Sequence, residues 1–191
     1  MEGASFSLIV KDVHNGETVF AYDTLRQLTP ASVMKTVTTA TALEILGEDY
    51  RFPTTLAYDG SIEKGLLKGN LYIKGSGDPS LGSAHFAPYH KRFLQEWISA
   101  LKKVGIHKIQ GAVIADESIF DTEGTSFKWV GEDMGSYYGA GSYGLCVFDN
   151  LYKLGLQTGA PGSRPKLKGT EPELSGIHFH NYLTAQQVSS D

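Results

Sequence analysis

The sequence holds one cysteine, Cys146, in 191 residues. No internal disulfide can form. Cys146 lies in an apolar stretch, Tyr-Gly-Leu-Cys-Val-Phe-Asp-Asn, and reads as a small core hydrophobe rather than a reactive thiol. Long apolar runs are also missing: none approaches the ~18 residues of a membrane-spanning helix. Basic residues are few. Seventeen Lys and Arg are scattered among 21 Asp and Glu, giving a net charge of −4. Clustered cations are what neutralise phosphates, so the composition excludes a nucleic-acid partner. The first residues carry no basic start followed by an apolar stretch, so they do not read as a signal peptide. There is no internal repeat, and the Gly/Ser-rich "KGSGDPSLGS" lacks the Gly-x-x-x-x-Gly-Lys spacing of a phosphate loop. His178 and His180 alternate as metal ligands on a strand do, yet no third ligand has matching spacing. No cofactor or metal is therefore expected.

What remains is ordinary globular material, 41% hydrophobic and 20% charged. Two β-rich runs flank Asn15-Gly16, which predicts a hairpin over about 5–22. Val33, Val37, Ala40, Leu43 and Leu46 recur at three and four residues, predicting a helix from Ser32 to Leu46 closed by Gly47. From Tyr50 onward short β-like runs alternate with Gly-rich turns, the first of them at Asp59-Gly60. A second helix is expected over His90 to Val104, with Phe93, Trp97, Leu101 and Val104 on one face. Strands are expected in "KIQGAVIADES", "NLYKLGLQTG" and "SGIHFHNYL", with a loop at "GAPGSRPKLKGTEPE". The class is α+β. A hairpin and one buried helix precede a β-rich region that carries a second helix.

The stretch "LTPASVMKT" at 28–36 carries the chemistry. Ser32 stands three residues before Lys35 at a helix start, and residues so spaced share a helix face with Cβ atoms ~5–6 Å apart. Serine attacks well only when a base takes its proton. A lysine can be that base when it is neutral, a form favoured by burial or a second cation nearby. Free N–H groups at the helix start can stabilise a developing oxyanion. Ser-x-x-Lys alone is a weak motif. With 16 Ser and 13 Lys about one match is expected by chance, and four occur. Ser61/Lys64 falls in a turn, Ser163/Lys166 in a Gly/Pro loop, and Ser99/Lys102 inside a helix where the hydroxyl can bond back to a carbonyl. Only Ser32 begins a strongly apolar helix.

"LTPASVMKTVTTATALEILGEDYRF" closely resembles the nucleophile segment of penicillin-binding D-Ala-D-Ala carboxypeptidases, of the carboxypeptidase/endopeptidase type with a large insert after the nucleophile helix. The likeness continues in order through "GNLYIKGSGDPSLGS", "GIHKIQGAVIADESIFD" and "YYGAGSYGL", so it covers about 5–191. It implies a fold shared with serine β-lactamases and an acyl-enzyme formed on peptidoglycan stem peptides or on β-lactam antibiotics. Ser32 would be the nucleophile and would give one oxyanion N–H; Lys35 would be the general base. Residues 1–58 would be the front of the transpeptidase-like domain, and 59–191 a β-rich insert. A periplasmic or cell-envelope location is implied, with a leader outside these residues.

The family pattern also requires Ser-x-Asn and Lys-Thr-Gly. Neither occurs within 1–191, and Lys168-Gly169-Thr170 has the right letters in the wrong order. The resemblance is thus to the front part of such an enzyme, and the 191-residue chain alone is expected to be inactive. Two other readings remain at this point: a non-catalytic penicillin-fold module that binds wall peptide or a partner, and a β-lactamase-like esterase. Carboxypeptidase and endopeptidase activity are not separated by these residues. Asp116, Glu117 and Asp121 read as strand end and loop rather than an acid/base group. Tyr137, Tyr138 and Tyr143 read as packing of the insert rather than a sugar-stacking platform.

Overall fold

The computed structural model describes residues 3–86, 92–121 and 123–187. The chain falls into two compact units, Met1–Arg51 and Phe52–Asp191. The strand Thr55–Tyr58 pairs within the second of these units.

In the first unit, β1 (Leu8–Lys11) pairs antiparallel with β2 (Thr18–Tyr22). The expected Asn15-Gly16 connection is there. Gly16 takes a positive φ of 76°, and its N–H donates to the Asp12 carbonyl at 2.8 Å. Phe6 and Tyr22 stack with ring centroids 4.8 Å apart. A 3-10 turn, Ala31–Val33, then leads into α1 (Met34–Leu46). Gly47, at φ 80°, donates to the Leu43 carbonyl at 3.0 Å and ends the helix where expected. The apolar side chains of α1 are not buried, contrary to the reading of a buried helix. Val33 is 71% exposed, Val37 60% and Ile45 75%, and no described residue of this unit is buried.

The second unit is organised by one bent three-stranded layer. Strands β3 (Thr55–Tyr58) and β4 (Ser61–Glu63) are two halves of one extended segment. They pair antiparallel with β6 (Leu71–Lys74) and β5 (Leu66–Lys68) respectively. The chain reverses at Lys64 and Gly65, with φ of 50° and 84°, as two-residue hairpin turns require. Asp59-Gly60, read from sequence as the turn, is the bend between the halves. After α2 (Phe93–Lys103) the chain returns through β7 (Lys108–Ile109) and β8 (Val113–Asp116). These run parallel to β5 and β6, the crossover being helical as parallel pairs demand. The layer therefore reads β4-β5-β7 on one side of the bend and β3-β6-β8 on the other.

Three glycines, Gly60, Gly69 and Gly111, lie where the three strands cross the bend. A Cβ on any of them would run into a backbone carbonyl oxygen, of Lys68, Asp59 and Gly69 in turn. The polar clamp is Asp59 with Asn70. Asp59 accepts from the Asn70 N–H at 2.6 Å, from Asn70 Nδ2 at 3.1 Å and from the Tyr72 hydroxyl at 2.8 Å. Asn70 Oδ1 accepts from the Ala112 N–H at 3.0 Å on the third strand. Leu67, Leu71, Phe93 and Ile106 are buried in this unit. Of the expected α2 face, Phe93 is buried, Trp97 and Leu101 half-buried, and Val104 exposed at the helix end; His90 lies outside the described residues.

A separate hairpin, β9 (Lys153–Gln157) with β10 (Lys166–Glu171), follows. β10 occupies the segment read as a loop. Its flanking Pro165 and Pro172 and internal Gly169 hide a strand that finds its partner only across the hairpin. The expected strand "SGIHFHNYL" is absent. There Asn181 Nδ2 donates to the Pro165 carbonyl, and among the described residues the alternation of His178 and His180 meets no partner strand.

Two outcomes follow. The three hydrogen bonds hold the Asp59 carboxyl below its ordinary 3.8, the Asn70 N–H being the largest cause; the Tyr72 hydroxyl's bond to Asp59 raises the phenol. A depressed folded value gives stability present above about pH 4 and lost as pH falls through it. Thermal midpoints of wild type and Asp59→Asn from pH 7 to 2 are expected to differ most at neutral pH and converge below about pH 4. A gap constant across that range would remove the carboxylate from the clamp. Separately, α1 and the β1–β2 hairpin expose large apolar side chains, Val19, Phe20, Val37, Leu43 and Ile45 among them, and such surface favours association. The 191-residue chain alone is expected to elute beyond monomer size at micromolar concentration in size exclusion with light scattering.

Candidate active site

Ser32 lies in the 3-10 turn and Lys35 in the first turn of α1. Lys35 Nζ donates to Ser32 Oγ at 3.0 Å. Helical spacing alone brings them together; no distant segment is needed. Ala31, one residue before the serine, has φ 45°. This left-handed conformation costs a residue with a Cβ roughly 1–2 kcal/mol. Such strain recurs where a side chain must be aimed rather than merely accommodated. No side chain caps the start of the turn or of α1, and no acidic residue stands in the first turn of either. The N–H groups there are left to whatever negative charge develops nearby. Thr39 Oγ1 donates to the Lys35 carbonyl at 2.9 Å, so the turn that carries the amine is tied down from its C-terminal side.

The other three Ser-x-x-Lys matches separate from this one on geometry. Ser99 Oγ donates to the Gln95 carbonyl at 2.7 Å, the back-bond expected inside a helix. Ser163 Oγ donates to the Ala160 carbonyl at 2.6 Å. Ser61 starts β4 while Lys64 sits in the hairpin turn. Among the described residues, no hydrogen bond joins the serine to the lysine in any of the three.

The remaining candidates have structural work. Asp116 Oδ1 accepts from the Ser118 N–H at 3.0 Å and Asp121 Oδ1 from the Glu123 N–H at 3.1 Å. Hydrogen bonds from the Ser118 side chain and backbone hold the Asp116 carboxyl below its ordinary value, with Lys74 adding attraction. In "KGSGDPSLGS", Asp78 Oδ1 accepts from the Ser80 N–H and hydroxyl, closing a turn. Cys146 Sγ is half-buried, donates to the Tyr143 carbonyl at 3.2 Å and accepts from Asn150 Nδ2 at 3.2 Å. His178 and His180 are exposed, and no group of three metal-binding side chains occurs among the described residues. One feature went unread in the sequence. Phe148, Asp149 and Asn150 all adopt positive φ, 53°, 58° and 52°. Asp-Asn was the available signal, since both tolerate the left-handed region.

The architecture is similar to that of solved penicillin-binding proteins. Penicillin binding protein 4 of Haemophilus influenzae superposes with a TM-score of 0.70 at 28% identity, over 83% of this chain and 34% of that one. Its complex with a β-lactam gives a TM-score of 0.62 at 26% identity, over 87% of this chain and 32% of that one. The family model of D-Ala-D-Ala carboxypeptidase 3 (S13) matches residues 1–191, and the chain belongs to that family. A D-alanyl-D-alanine carboxypeptidase of Actinomadura sp. (strain R39) is 33% identical over 147 residues, 77% of this chain and 26% of that protein. The D-alanyl-D-alanine carboxypeptidase DacB of Haemophilus influenzae is 29% identical over 133 residues, 70% of this chain and 26% of its own length. The chain thus spans about a quarter of the curated relatives it matches.

Because the Ser32–Lys35 contact is exposed, its loss is expected to be nearly silent for stability. Ser32→Ala should shift folding stability by no more than about 0.5 kcal/mol, as for surface changes away from caps and cores. A chemical-denaturation series checks this, and a loss several times larger would make the pair a structural element.

Proposed function

We propose that these residues carry the nucleophile and general base of a serine-type D-Ala-D-Ala carboxypeptidase acting on peptidoglycan stem peptides. The observation that carries the reading is the 3.0 Å contact between Lys35 Nζ and Ser32 Oγ at an uncapped helix start. With the amine neutral, the same contact runs in reverse. The Ser32 hydroxyl proton passes to Nζ as Oγ attacks the carbonyl carbon between the two D-alanines. The carbonyl oxygen takes the negative charge. The Ser32 N–H, at the helix start, supplies one donor to it. Collapse breaks the C–N bond, the proton reaches the leaving D-alanine amine, and an ester on Ser32 remains. Water then hydrolyses the ester. A β-lactam would enter by the same attack, its ring C–N bond opening while the leaving amine stays tethered.

Residues 1–191 contain neither Ser-x-Asn nor Lys-Thr-Gly. The reading therefore assigns to this chain the attack and its base, not the proton relay to the leaving group or the clamp on the substrate carboxylate. In the same terms, 1–58 belongs to the front of a transpeptidase-like domain and 59–191 to a β-rich insert. The site of action is the periplasm or cell envelope, where such peptides are found. Among the described residues no helix is long and apolar enough to cross a membrane.

The experiment is the acylation rate of the complete protein by penicillin, wild type against Lys35→Arg. Arginine keeps a cation but does not deprotonate in proteins. A loss of at least ~10²-fold is expected, as for a missing general base. Acylation of the arginine variant at the wild-type rate would reduce Lys35 to a structural role and overturn the assignment.

A further inference from the structure

A concave site lies wholly within the Phe52–Asp191 unit, and it goes beyond the acyl-transfer reading without resting on it. Its volume is about 630 Å³, within the range of small-ligand pockets. Three phenyl or phenol rings line it, those of Tyr137, Phe148 and Tyr152, together with His85 and the charged residues Asp149, Lys153 and Glu171. Each of those three rings packs on another ring. Phe148 meets Phe93 edge-on with centroids 5.7 Å apart, Tyr152 meets Phe179 at 6.0 Å, and Tyr137 meets Tyr138 at 5.2 Å. Tyr138 is itself fixed, its hydroxyl donating to Asp133 at 3.0 Å. The rings are thus oriented before any ligand arrives, which lowers the ordering cost of binding.

The backbone points the same way. Phe148, Asp149 and Asn150 hold left-handed conformations in succession, and only the last two residue types tolerate that region readily. The surroundings enforce it. The Phe148 N–H donates to the Leu81 carbonyl at 2.8 Å, and Asn150 Nδ2 donates to the Gly141 carbonyl at 2.7 Å. Gly82, at φ 71°, leaves room for the Phe148 ring, which a Cβ there would meet at 2.6 Å. Strain held in place by packing and aimed at a cavity marks a functional surface more often than a structural one. The lining side chains are also uncommitted. Among the described residues, Asp149, Lys153 and Glu171 enter no ion pair or side-chain hydrogen bond, and neither do the hydroxyls of Tyr137 and Tyr152.

Aromatic faces beside hydrogen-bonding groups suit a ligand with apolar C–H faces and a rim of hydroxyls. Two carboxylates, against one lysine and the His85 imidazole, give no excess of positive charge to select an anion. We propose that this pocket binds a neutral saccharide. Its ring would stack on Tyr137 and Tyr152, and its hydroxyls would donate to Asp149 and Glu171.

The test is titration of the full 191-residue chain at submicromolar concentration with β-1,4-linked N-acetylglucosamine trimer and, separately, with cellotriose. Intrinsic fluorescence is the readout, since Trp97 lies edge-on to Phe93 at 4.9 Å. Saturable quenching or enhancement by either sugar is expected. Tyr137 is 77% exposed, so Tyr137→Ala should leave the fold intact while weakening binding at least about tenfold. Asp149→Gly relieves the left-handed strain and should melt no lower than wild type, yet also bind at least about tenfold more weakly. No response to either sugar, or binding unchanged in both variants, would overturn the proposal. So would saturable binding of tetralysine in place of the sugars, which would make the pocket a site for cationic peptide.

Discussion

One turn of helix sets the distance on which the proposed chemistry depends. Ser32 and Lys35 need no fold-wide arrangement to meet, because three residues of helical backbone bring Nζ within 3.0 Å of Oγ. The rest of the local structure preserves that turn. Pro30 precedes it, Ala31 enters it at a positive φ, and Thr39 fastens the lysine's own carbonyl. A serine–lysine contact built this way is present as soon as the helix forms.

The second unit depends on a different constraint, the bend shared by three strands. Asp59 and Asn70 satisfy one another across it, and Asn70 reaches the third strand through the Ala112 N–H. The glycines there are required by close backbone approach rather than by flexibility. A sheet bent in this way faces two directions at once. The Lys74 end of β6 continues into the "KGSGDPSLGS" turn, where Gly77 donates to the Gly144 carbonyl at 2.7 Å. That bond ties the sheet to the segment leading into the strained Phe148–Asn150 turn.

Much of this was legible in the residues. Asn15-Gly16 marked the first hairpin, the spacing of Val33 to Leu46 marked α1, and Ser99 was read as a helix back-bond from position alone. The Ser32–Lys35 pairing followed from helix geometry, and its choice over three rival matches followed from the apolar helix behind it. What failed depended on partners far away in sequence. Lys166–Glu171 looks like a loop until Lys153–Gln157 is beside it. The alternation around His178 and His180 looks like a strand but has none to pair with among the described residues. Asp59-Gly60 carries the letters of a turn and makes a bend, because Asn70 and Ala112 occupy the far side. The burial of α1 was misjudged for the same reason: periodicity shows which face is apolar, not what covers it.

The central claim is that Ser32, and no other serine, is the nucleophile. The most direct measurement is mass-spectrometric mapping of the complete protein after reaction with penicillin. The account predicts one covalent adduct, on the peptide that contains Ser32 and at that residue. An adduct on Ser61, Ser99 or Ser163 instead would contradict it.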